Sequence, residues 1–238
     1  MKNNYKLAVI LGSGLDAIQK FLDEIKIIKE IPKGVHRKII YEAKIKNKNV
    51  LFFSGRKHFY ESYLADELVE NIEFAVQSNV RNILITNAAG GLNPNFEEND
   101  LMLIRSIINF NPKLISSPKC FFSNQSLYHL ILDAAEESQI KIHEGVYGFF
   151  SGPTYETKAE IKYLLNKGVD AAGMSTLPEM KHAFAKKINV SGISVITNLL
   201  RENSSHQHDH NIVVANAAKA SERLYKLLSA LCMQSFLN

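Results

Sequence analysis

The amino-acid sequence predicts an α/β protein in which helices cover both faces of a β-sheet. Short apolar runs alternate with amphipathic stretches along the chain, which is typical of this fold class. Several apolar runs carry so few polar residues that burial on both faces is expected. Strands are predicted at Leu7–Leu11, Val50–Ser54, Asn82–Thr86, Leu101–Ile107, Gly145–Phe150 and Val190–Thr197.

Amphipathic segments between these runs predict the helices. Thr157 and Glu160 have the spacing of a capping box, and Gly168 follows as a helix-ending residue. Pro178 behind Ser175-Thr176 indicates a proline in the first helical position, preceded by a hydroxyl cap. Helices are predicted at about Leu15–Ile25, Ala65–Ser78, Gln125–Ser138, Thr157–Asn166, Pro178–Lys187 and Asn211–Cys232.

Composition and charge exclude several other classes of protein. With 46% hydrophobic and 22% charged residues, the chain of 238 residues is neither disordered, nor collagen-like, nor of low complexity. It contains no Pro/Gly/Ser linker and no internal repeat, so residues 1–238 are predicted to form a single domain. The net charge of +4 comes from scattered Lys and Arg, which suits a small anionic substrate at least as well as a nucleic acid.

Cysteine usage and apolar runs indicate the compartment. Cys120 and Cys232 are far apart in the sequence, so neither a disulfide framework nor a zinc ribbon is indicated. The apolar run Leu7–Leu11 is too short for a secretory signal, and no uninterrupted apolar stretch is long enough to span a bilayer. We therefore expect a soluble cytoplasmic protein without membrane or nucleic-acid partners.

Residues that follow strands are the first candidates for a binding site, because ligands of open α/β sheets collect at the carboxyl ends of the strands. The loop Gly12-Ser13-Gly14 offers backbone N–H groups and a hydroxyl as an anion cradle. A tight turn explains it equally well. With Ala17 the loop also matches a dinucleotide fingerprint, although charged residues interrupt the next expected strand at Ile25–Ile31.

Two further loops offer groups that can contact a ligand. One carries hydrogen-bond donors and the other carries small residues. In Ser54–Glu61, Arg56, His58 and Tyr60 project to one side if the strand geometry continues past Gly55. An arginine fork beside an imidazole suits a phosphate, and solvated surface charge is the alternative. In Thr86–Asn93, small residues allow a ligand to touch the main chain, and crowding against a neighbouring helix is the alternative.

The last candidate positions follow the later strands. Glu156 stands directly before a capped helix, so it is either a ligand-binding carboxylate or a first-turn charge that interacts with the helix dipole. Ser175 is either a ligand or a helix cap. Asn198 ends the closing strand with an amide that can both donate and accept hydrogen bonds.

Taken together, these segments resemble the trimeric purine nucleoside phosphorylases that prefer six-oxopurines. The resemblance extends from Leu7 to about Leu228, and it depends on six motifs that occur in the family's order and with similar spacing. The motifs are Leu11-Gly-Ser-Gly14, Gly55-Arg-x-His-x-Tyr-Glu61, Thr86-Asn-Ala-Ala-Gly-Gly-Leu-Asn-Pro94, Gly152-Pro-x-Tyr-Glu-Thr157, Gly173-Met-Ser-Thr-x-Pro-Glu179 and Ile196-Thr-Asn198.

The resemblance implies a central mixed β-sheet flanked by helices and a role for each motif. The residues implied to surround orthophosphate are Ser13, Arg56, His58, the Ala88 amide and Ser175. Those implied to contact ribose are Tyr60, Met174 and His210, with Phe121 or Phe122 reaching a neighbouring subunit's ribose site. Those implied to bind the purine are Tyr155, Glu156, Thr197 and Asn198, and His36 and Tyr147 match further positions near the nucleoside.

The implied reaction is phosphorolysis of a purine nucleoside to the free base and ribose 1-phosphate, with Glu156, Asn198 and His58 as catalytic residues. An ionised Glu156 accepts from N1–H of hypoxanthine or guanine, whereas adenine offers only a lone pair there. Inosine and guanosine are therefore expected over adenosine, with xanthosine as a further candidate. The family implies a homotrimer in purine salvage that needs no metal or cofactor, with orthophosphate as co-substrate.

Several features depart from the family pattern or have other readings. Leu199 stands where some members carry Lys, Val35–Lys38 replaces a Gly-rich setting around His36, and the segment 111–122 looks short. Alternating His206, His208 and His210 have the pattern of a metal site, although the resemblance implies that His210, twelve residues after Asn198, is a ribose contact. A non-catalytic purine sensor and a dinucleotide-dependent oxidoreductase are the functional alternatives.

Overall fold

A computed structural model describes residues 5–31, 38–111, 119–122, 125–201 and 210–234. Within them, ten strands form one mixed sheet, which confirms the predicted fold class. The strands are β1 (Leu7–Leu11), β2 (Asp23–Ile31), β3 (Lys38–Ile45), β4 (Lys48–Ser54), β5 (Asn82–Gly91), β6 (Leu101–Asn109), β7 (Lys119–Phe121), β8 (Ile142–Phe149), β9 (Ala171–Gly173) and β10 (Asn189–Leu199).

Helices lie between the strands. In the described ranges they are α1 (Ala65–Leu68), α2 (Glu70–Gln77), α3 (Ser126–Glu137), α4 (Lys158–Asn166), α5 (Leu177–Ala185) and α6 (His210–Met233), with short 3-10 helices at Leu15–Phe21 and Phe59–Glu61. None of the described helices is both long enough and apolar enough to cross a membrane.

The sheet has an open part and a closed part that share β5. Strands β2, β3, β4, β1 and β5 lie side by side, and β5 also pairs with β9 and with β10. Because β10, β6, β8 and β9 are paired in that order, these four strands and β5 form a ring. Strands β1, β4, β5 and β10 are mutually parallel through their pairings, so their carboxyl ends meet at one edge.

Side-chain alternation explains why the sheet is covered on both faces. In β1, Leu7, Val9 and Leu11 belong to one core cluster with α3 and α6, while Ala8 and Ile10 belong to a second cluster with α2 and α5. All five residues are buried, as expected for a strand with helices on both sides.

The first predicted helix is wrong in its second half. Residues Leu15–Phe21 form a 3-10 helix, and Asp23–Ile31 is an edge strand paired antiparallel with β3. The charged residues that seemed to interrupt a buried strand are compatible with this exposed edge. Strand β3, which the sequence pattern also missed, joins β4 through a tight turn at Lys46 and Asn47, both with positive φ.

The predicted side-chain cap is confirmed at α4 and wrong at α5. Thr157 caps α4 by accepting from the Glu160 backbone, with the reciprocal bond present, and Gly168 follows with φ of 70°. At α5 the predicted hydroxyl cap is wrong, because Thr176 is the N-cap but its side chain makes no cap hydrogen bond. The Thr176 hydroxyl accepts instead from the Asn87 amide at 2.8 Å.

Candidate active site

A cavity of about 490 Å³ lies at the edge where the parallel strands end. Its walls come from the loop after β1, the loop after β4, the second half of β5, the segments around β9, the end of β10 and the first turn of α6. The lining residues are Leu11–Ser13, Asp16, Ser54–Arg56, His58, Tyr60, Asn87–Gly90, Pro153, Tyr155, Glu156, Ala172–Ser175, Thr197, Asn198 and Val213.

Close packing makes both glycines of the first loop necessary. A Cβ on Gly12 would lie 2.6 Å from the Cα of Asn87, and one on Gly14 would collide with the carbonyl oxygen of Val214. Gly14 also has φ of 79°, which favours glycine. The Gly12 N–H donates to the Thr86 hydroxyl at 3.1 Å. The loop that carries Ser13 is therefore held against β5 and α6.

The dinucleotide reading of this loop does not fit the fold. That fingerprint requires a helix followed by a parallel buried strand. Here Gly14 leads into a 3-10 helix of seven residues and then into β2, an exposed strand paired antiparallel with β3. The anion-cradle reading places no such demand on the next strand.

Arg56 is the buried cation of the site. Its Nη1 lies 3.0 Å from Oε2 of Glu179 and 3.4 Å from the Ser175 hydroxyl, and its Nη2 donates to the Thr86 carbonyl oxygen. Both ion-pair side chains are only 4% exposed. Burial raises the pKa of Glu179, and the Arg56 guanidinium opposes that rise. The guanidinium is thus fixed in place before any ligand binds.

His58 and Tyr60 reach the cavity by a different route from the one predicted. Strand β4 ends at Ser54, and Gly55 has φ of 87°, so strand alternation does not continue through the loop. His58 instead precedes the 3-10 helix Phe59–Glu61, with its Nδ1 atom 3.3 Å from Oε1 of Glu61. Its ring stacks on Tyr60 at 5.0 Å between centroids.

The small residues after Thr86 are still part of β5, which continues to Gly91. A Cβ on Gly90 would lie 2.7 Å from Leu200, and one on Gly91 would lie 2.6 Å from Ile196. Crowding therefore explains the two glycines, although the neighbours belong to β10 and the residue after it rather than to a helix. Ala88 in the same strand lines the cavity.

Glu156 and Asn198 line the same cavity from different elements. Glu156 precedes the N-cap of α4, and burial, with a smaller effect from Glu160, raises the pKa of its carboxyl group. Asn198 follows Thr197, at which the register of β10 against β5 shifts. The Thr197 hydroxyl donates to Oδ1 of Asn198 at 3.1 Å.

The structure brings most of the predicted site residues together, but not all of them. Phe122 is the clear exception, because it is 2% exposed and belongs to a buried core cluster of its own chain, where its ring also lies edge-on to Phe184. A ring buried in this way is not presented to a neighbouring subunit. Tyr147 is buried behind the cavity and donates to the Ser175 carbonyl oxygen at 3.4 Å; burial raises the pKa of its hydroxyl.

Several predictions fall outside the described residues. These are the positions of His36, His206 and His208 and the side chains of Phe121 and His210, so the metal reading and the ribose contact of His210 stay predictions. Sequence reasoning also missed Asp16 and Val213 as lining residues and Glu179 as the partner of Arg56. Glu179 lies in a quoted motif, but its contacts are to protein and no pattern signals them.

Comparison with known proteins places the chain in a family. The sequence profile of the phosphorylase superfamily matches residues 6–232. The chain belongs to the phosphorylase superfamily. It is 32% identical to purine nucleoside phosphorylase 1 of Bacillus subtilis, over 96% of the chain and 92% of that relative. The resemblance to purine nucleoside phosphorylases inferred from the six motifs is confirmed.

Solved structures of this superfamily have the same fold. A purine nucleoside phosphorylase of Schistosoma in complex with hypoxanthine matches with a TM-score of 0.86 and 26% identity, over 97% of the chain and 91% of that structure. The Schistosoma mansoni enzyme in complex with adenosine matches with a TM-score of 0.86 and 25% identity, over 99% and 92%.

Proposed function

We propose that this superfamily member catalyses the phosphorolysis of purine nucleosides, with inosine and guanosine preferred. The observation that carries the proposal is a single cavity lined both by anion-binding groups and by groups suited to a purine. The first set is Ser13, Arg56, His58, Ala88 and Ser175, and the second is Tyr155, Glu156, Thr197 and Asn198. A relative named purine nucleoside phosphorylase supports the reaction type.

The phosphate would be held mainly by hydrogen-bond donors. Arg56 and the Ser175 hydroxyl are already within 3.4 Å of each other, so their donors can converge on one anion. Because Glu179 offsets much of the Arg56 charge, geometry rather than net positive charge would select the phosphate. Each charge-assisted hydrogen bond contributes about 1.5–3 kcal/mol.

In the reaction, the C1′–N9 bond of the nucleoside breaks and a phosphate oxygen forms a new bond to C1′. The electron pair of the broken bond leaves with the purine, while the phosphate dianion stabilises the cationic sugar. Asn198 would donate to N7 and so stabilise the charge that develops on the base. By analogy with an oxyanion-hole donor, its loss would lower the rate by about 10²–10³-fold.

Glu156 would set the preference among purines. An ionised carboxylate accepts from N1–H of a six-oxopurine, whereas adenine would leave the half-buried carboxylate facing a lone pair. The Schistosoma mansoni enzyme has been crystallised with adenosine, so this preference needs its own measurement. A kcat/KM for adenosine comparable with that for inosine would contradict it.

Other properties are proposed from the family resemblance alone. They are a homotrimeric assembly, cytoplasmic purine salvage, and catalysis with orthophosphate as co-substrate and without a metal or cofactor. The contribution of an aromatic residue from a neighbouring subunit would fall to Phe121, because Phe122 is buried in its own chain.

The deciding experiment is incubation of the chain with inosine in the presence and absence of phosphate. We expect hypoxanthine release only with phosphate, together with one equivalent of ribose 1-phosphate, as measured by chromatography. Release that does not require phosphate would indicate a hydrolase and overturn the proposal. The same assay with guanosine, xanthosine and adenosine gives the order of preference.

A further inference from the structure

Strand β10 carries an extra residue directly before Asn198. Its register against β5 shifts between Ile196 and Asn198, so Thr197 has no opposed partner in that ladder. A bulge of this kind interrupts the ladder and redirects the side chains beside it. The contacts that hold Thr197 therefore bear on where the Asn198 amide points.

Thr197 is held from outside the sheet by helix α6. The Asn216 amide donates through Nδ2 to the Thr197 carbonyl oxygen at 2.8 Å, and the bond is buried. The Thr197 hydroxyl in turn donates to Oδ1 of Asn198 at 3.1 Å, and the Ala89 carbonyl oxygen is a more distant acceptor at 3.4 Å. Two hydrogen bonds thus connect Asn216, through Thr197, to the amide that lines the cavity.

The Asn216 amide is itself fixed by its neighbours. It is 5% exposed, and its Nδ2 atom also lies 3.1 Å from Oε2 of Glu98. Its Oδ1 accepts from the Lys219 ammonium group at 3.1 Å. Since Nδ2 has two acceptors and Oδ1 has a donor, these contacts define which way the amide faces.

The same turns of α6 also contact the loop that carries Ser13. Any Cβ on Gly14 would collide with the Val214 carbonyl oxygen and lie 2.9 Å from the Cβ of Ala217. Residues 213–217 of α6 therefore touch both the first loop and the bulge in β10. Asn216 is the polar member of this segment that reaches Thr197.

We propose that Asn216 is a positioning residue that orients the Asn198 amide through Thr197. Asn216 does not line the cavity, so it acts on the reaction only through this connection. The inference rests on the proposed function, in which Asn198 donates to N7 of the departing purine. Asn216 lies outside the six motifs, so the proposal adds a new residue to those that assist departure of the purine.

The first test is Asn216→Ala, which leaves the Thr197 carbonyl group buried without its donor. We expect kcat for inosine to fall by between about 10-fold and 100-fold, because small displacements of a catalytic group have effects of this size. The KM for phosphate should not change, since the contacts of Asn216 lead to Thr197, Glu98 and Lys219.

A second substrate separates positioning from general damage. A purine nucleoside methylated at N7 cannot accept a hydrogen bond there, so its kcat should be nearly unaffected by Asn216→Ala. A merely structural defect would lower kcat for both nucleosides equally. Glu222→Ala is the matched control, because it removes an exposed ion pair with Lys226 on the same helix and leaves the contacts of Asn216 intact.

Glu98→Ala keeps the inference testable if Asn216→Ala does not fold. Glu98 is exposed. Its removal leaves the Asn216–Thr197 bond in place, but the Asn216 amide then has one fewer contact that fixes its orientation. We expect a smaller loss of kcat that is again confined to inosine. No loss of kcat in either variant, or equal losses of kcat for inosine and for the N7-methylated nucleoside, would overturn this inference and leave the proposed function standing. Wild-type protein without phosphate-dependent cleavage of inosine would overturn the proposed function, and the inference with it.

Discussion

Two carboxyl groups near the cavity differ in what surrounds them. Glu179 is 3% exposed and lies 3.0 Å from the Arg56 guanidinium. Glu156 lines the cavity, and burial together with Glu160 raises the pKa of its carboxyl group. The two carboxyl groups therefore differ in their contacts: Glu179 holds a cation of the protein, whereas Glu156 faces the cavity, where the proposed function has it bind a proton of the substrate.

The largest effect should come from Glu179→Ala, which would leave the Arg56 charge buried without its partner. Breaking a buried ion pair in this way costs about 3–5 kcal/mol of unfolding free energy. Urea unfolding followed by circular dichroism measures it. The loss of the Glu179 contact should also raise the KM for phosphate, because Arg56 would no longer be held near Ser175.

Glu73→Ala is the matched control for the ion pair. Glu73 accepts from Lys186 at 2.9 Å and lies 2.5 Å from Nε2 of His182, but its side chain is 37% exposed. Exposed pairs contribute only about 0–1 kcal/mol. Equal losses of unfolding free energy in the two variants would contradict the penalty expected for leaving Arg56 buried without a partner.

A smaller effect, confined to activity, is expected from Glu156→Ala. Loss of the acceptor for N1–H should lower kcat/KM for inosine by about 10²–10³-fold, the range seen for a catalytic hydrogen-bond group, while the urea midpoint stays unchanged. Steady-state kinetics measures the first and unfolding the second. Glu160→Gln is the control. Near-wild-type turnover by Glu156→Ala would contradict the role proposed for Glu156.

The smallest effect is a pH dependence of substrate preference. Above its raised pKa, Glu156 is ionised and, in the proposed function, accepts from N1–H of inosine. As the pH falls through that pKa, the carboxyl group takes up a proton, loses the acceptor and gains a donor for N1 of adenine. The ratio of kcat/KM for adenosine to that for inosine should therefore rise as the pH falls, starting at a higher pH than an ordinary glutamate would give.

Taking this ratio cancels ionisations that affect both substrates equally, including that of phosphate. Glu156→Gln provides the control, because its amide does not titrate. A wild-type ratio that is as flat with pH as the ratio of this variant would show that the protonation of Glu156 does not govern base selection.

The sequence predicts the buried strands better than the exposed or very short ones. Strands such as β1 and β5 are apolar on both faces, so their pattern stands out. The exposed strand β2 carries charges along its length, and β9 has only three residues, so neither has a recognisable pattern. The turn at Lys46 and Asn47 has positive φ without a glycine to indicate it.

For the site, motifs identify the side chains that face a ligand better than those that hold them. Arg56, Glu156 and Asn198 stand in family-like patterns, and all three line the cavity. Arg56 also forms a buried ion pair. Glu179 and Asn216 act through distant contacts, 123 and 19 residues away from Arg56 and Thr197 in the sequence. Such contacts depend on the tertiary fold, which local patterns do not encode.

Strand β5 runs through both the open and the closed part of the sheet and forms the wall at Ala88. The two parts therefore cannot swing apart as separate lobes without breaking its pairings to β1 or to β10. Any rearrangement that accompanies ligand binding is therefore expected in the loops around the rim rather than between the two parts of the sheet. Amide hydrogens in the middle of β5 should consequently be among the slowest in the molecule to exchange with solvent.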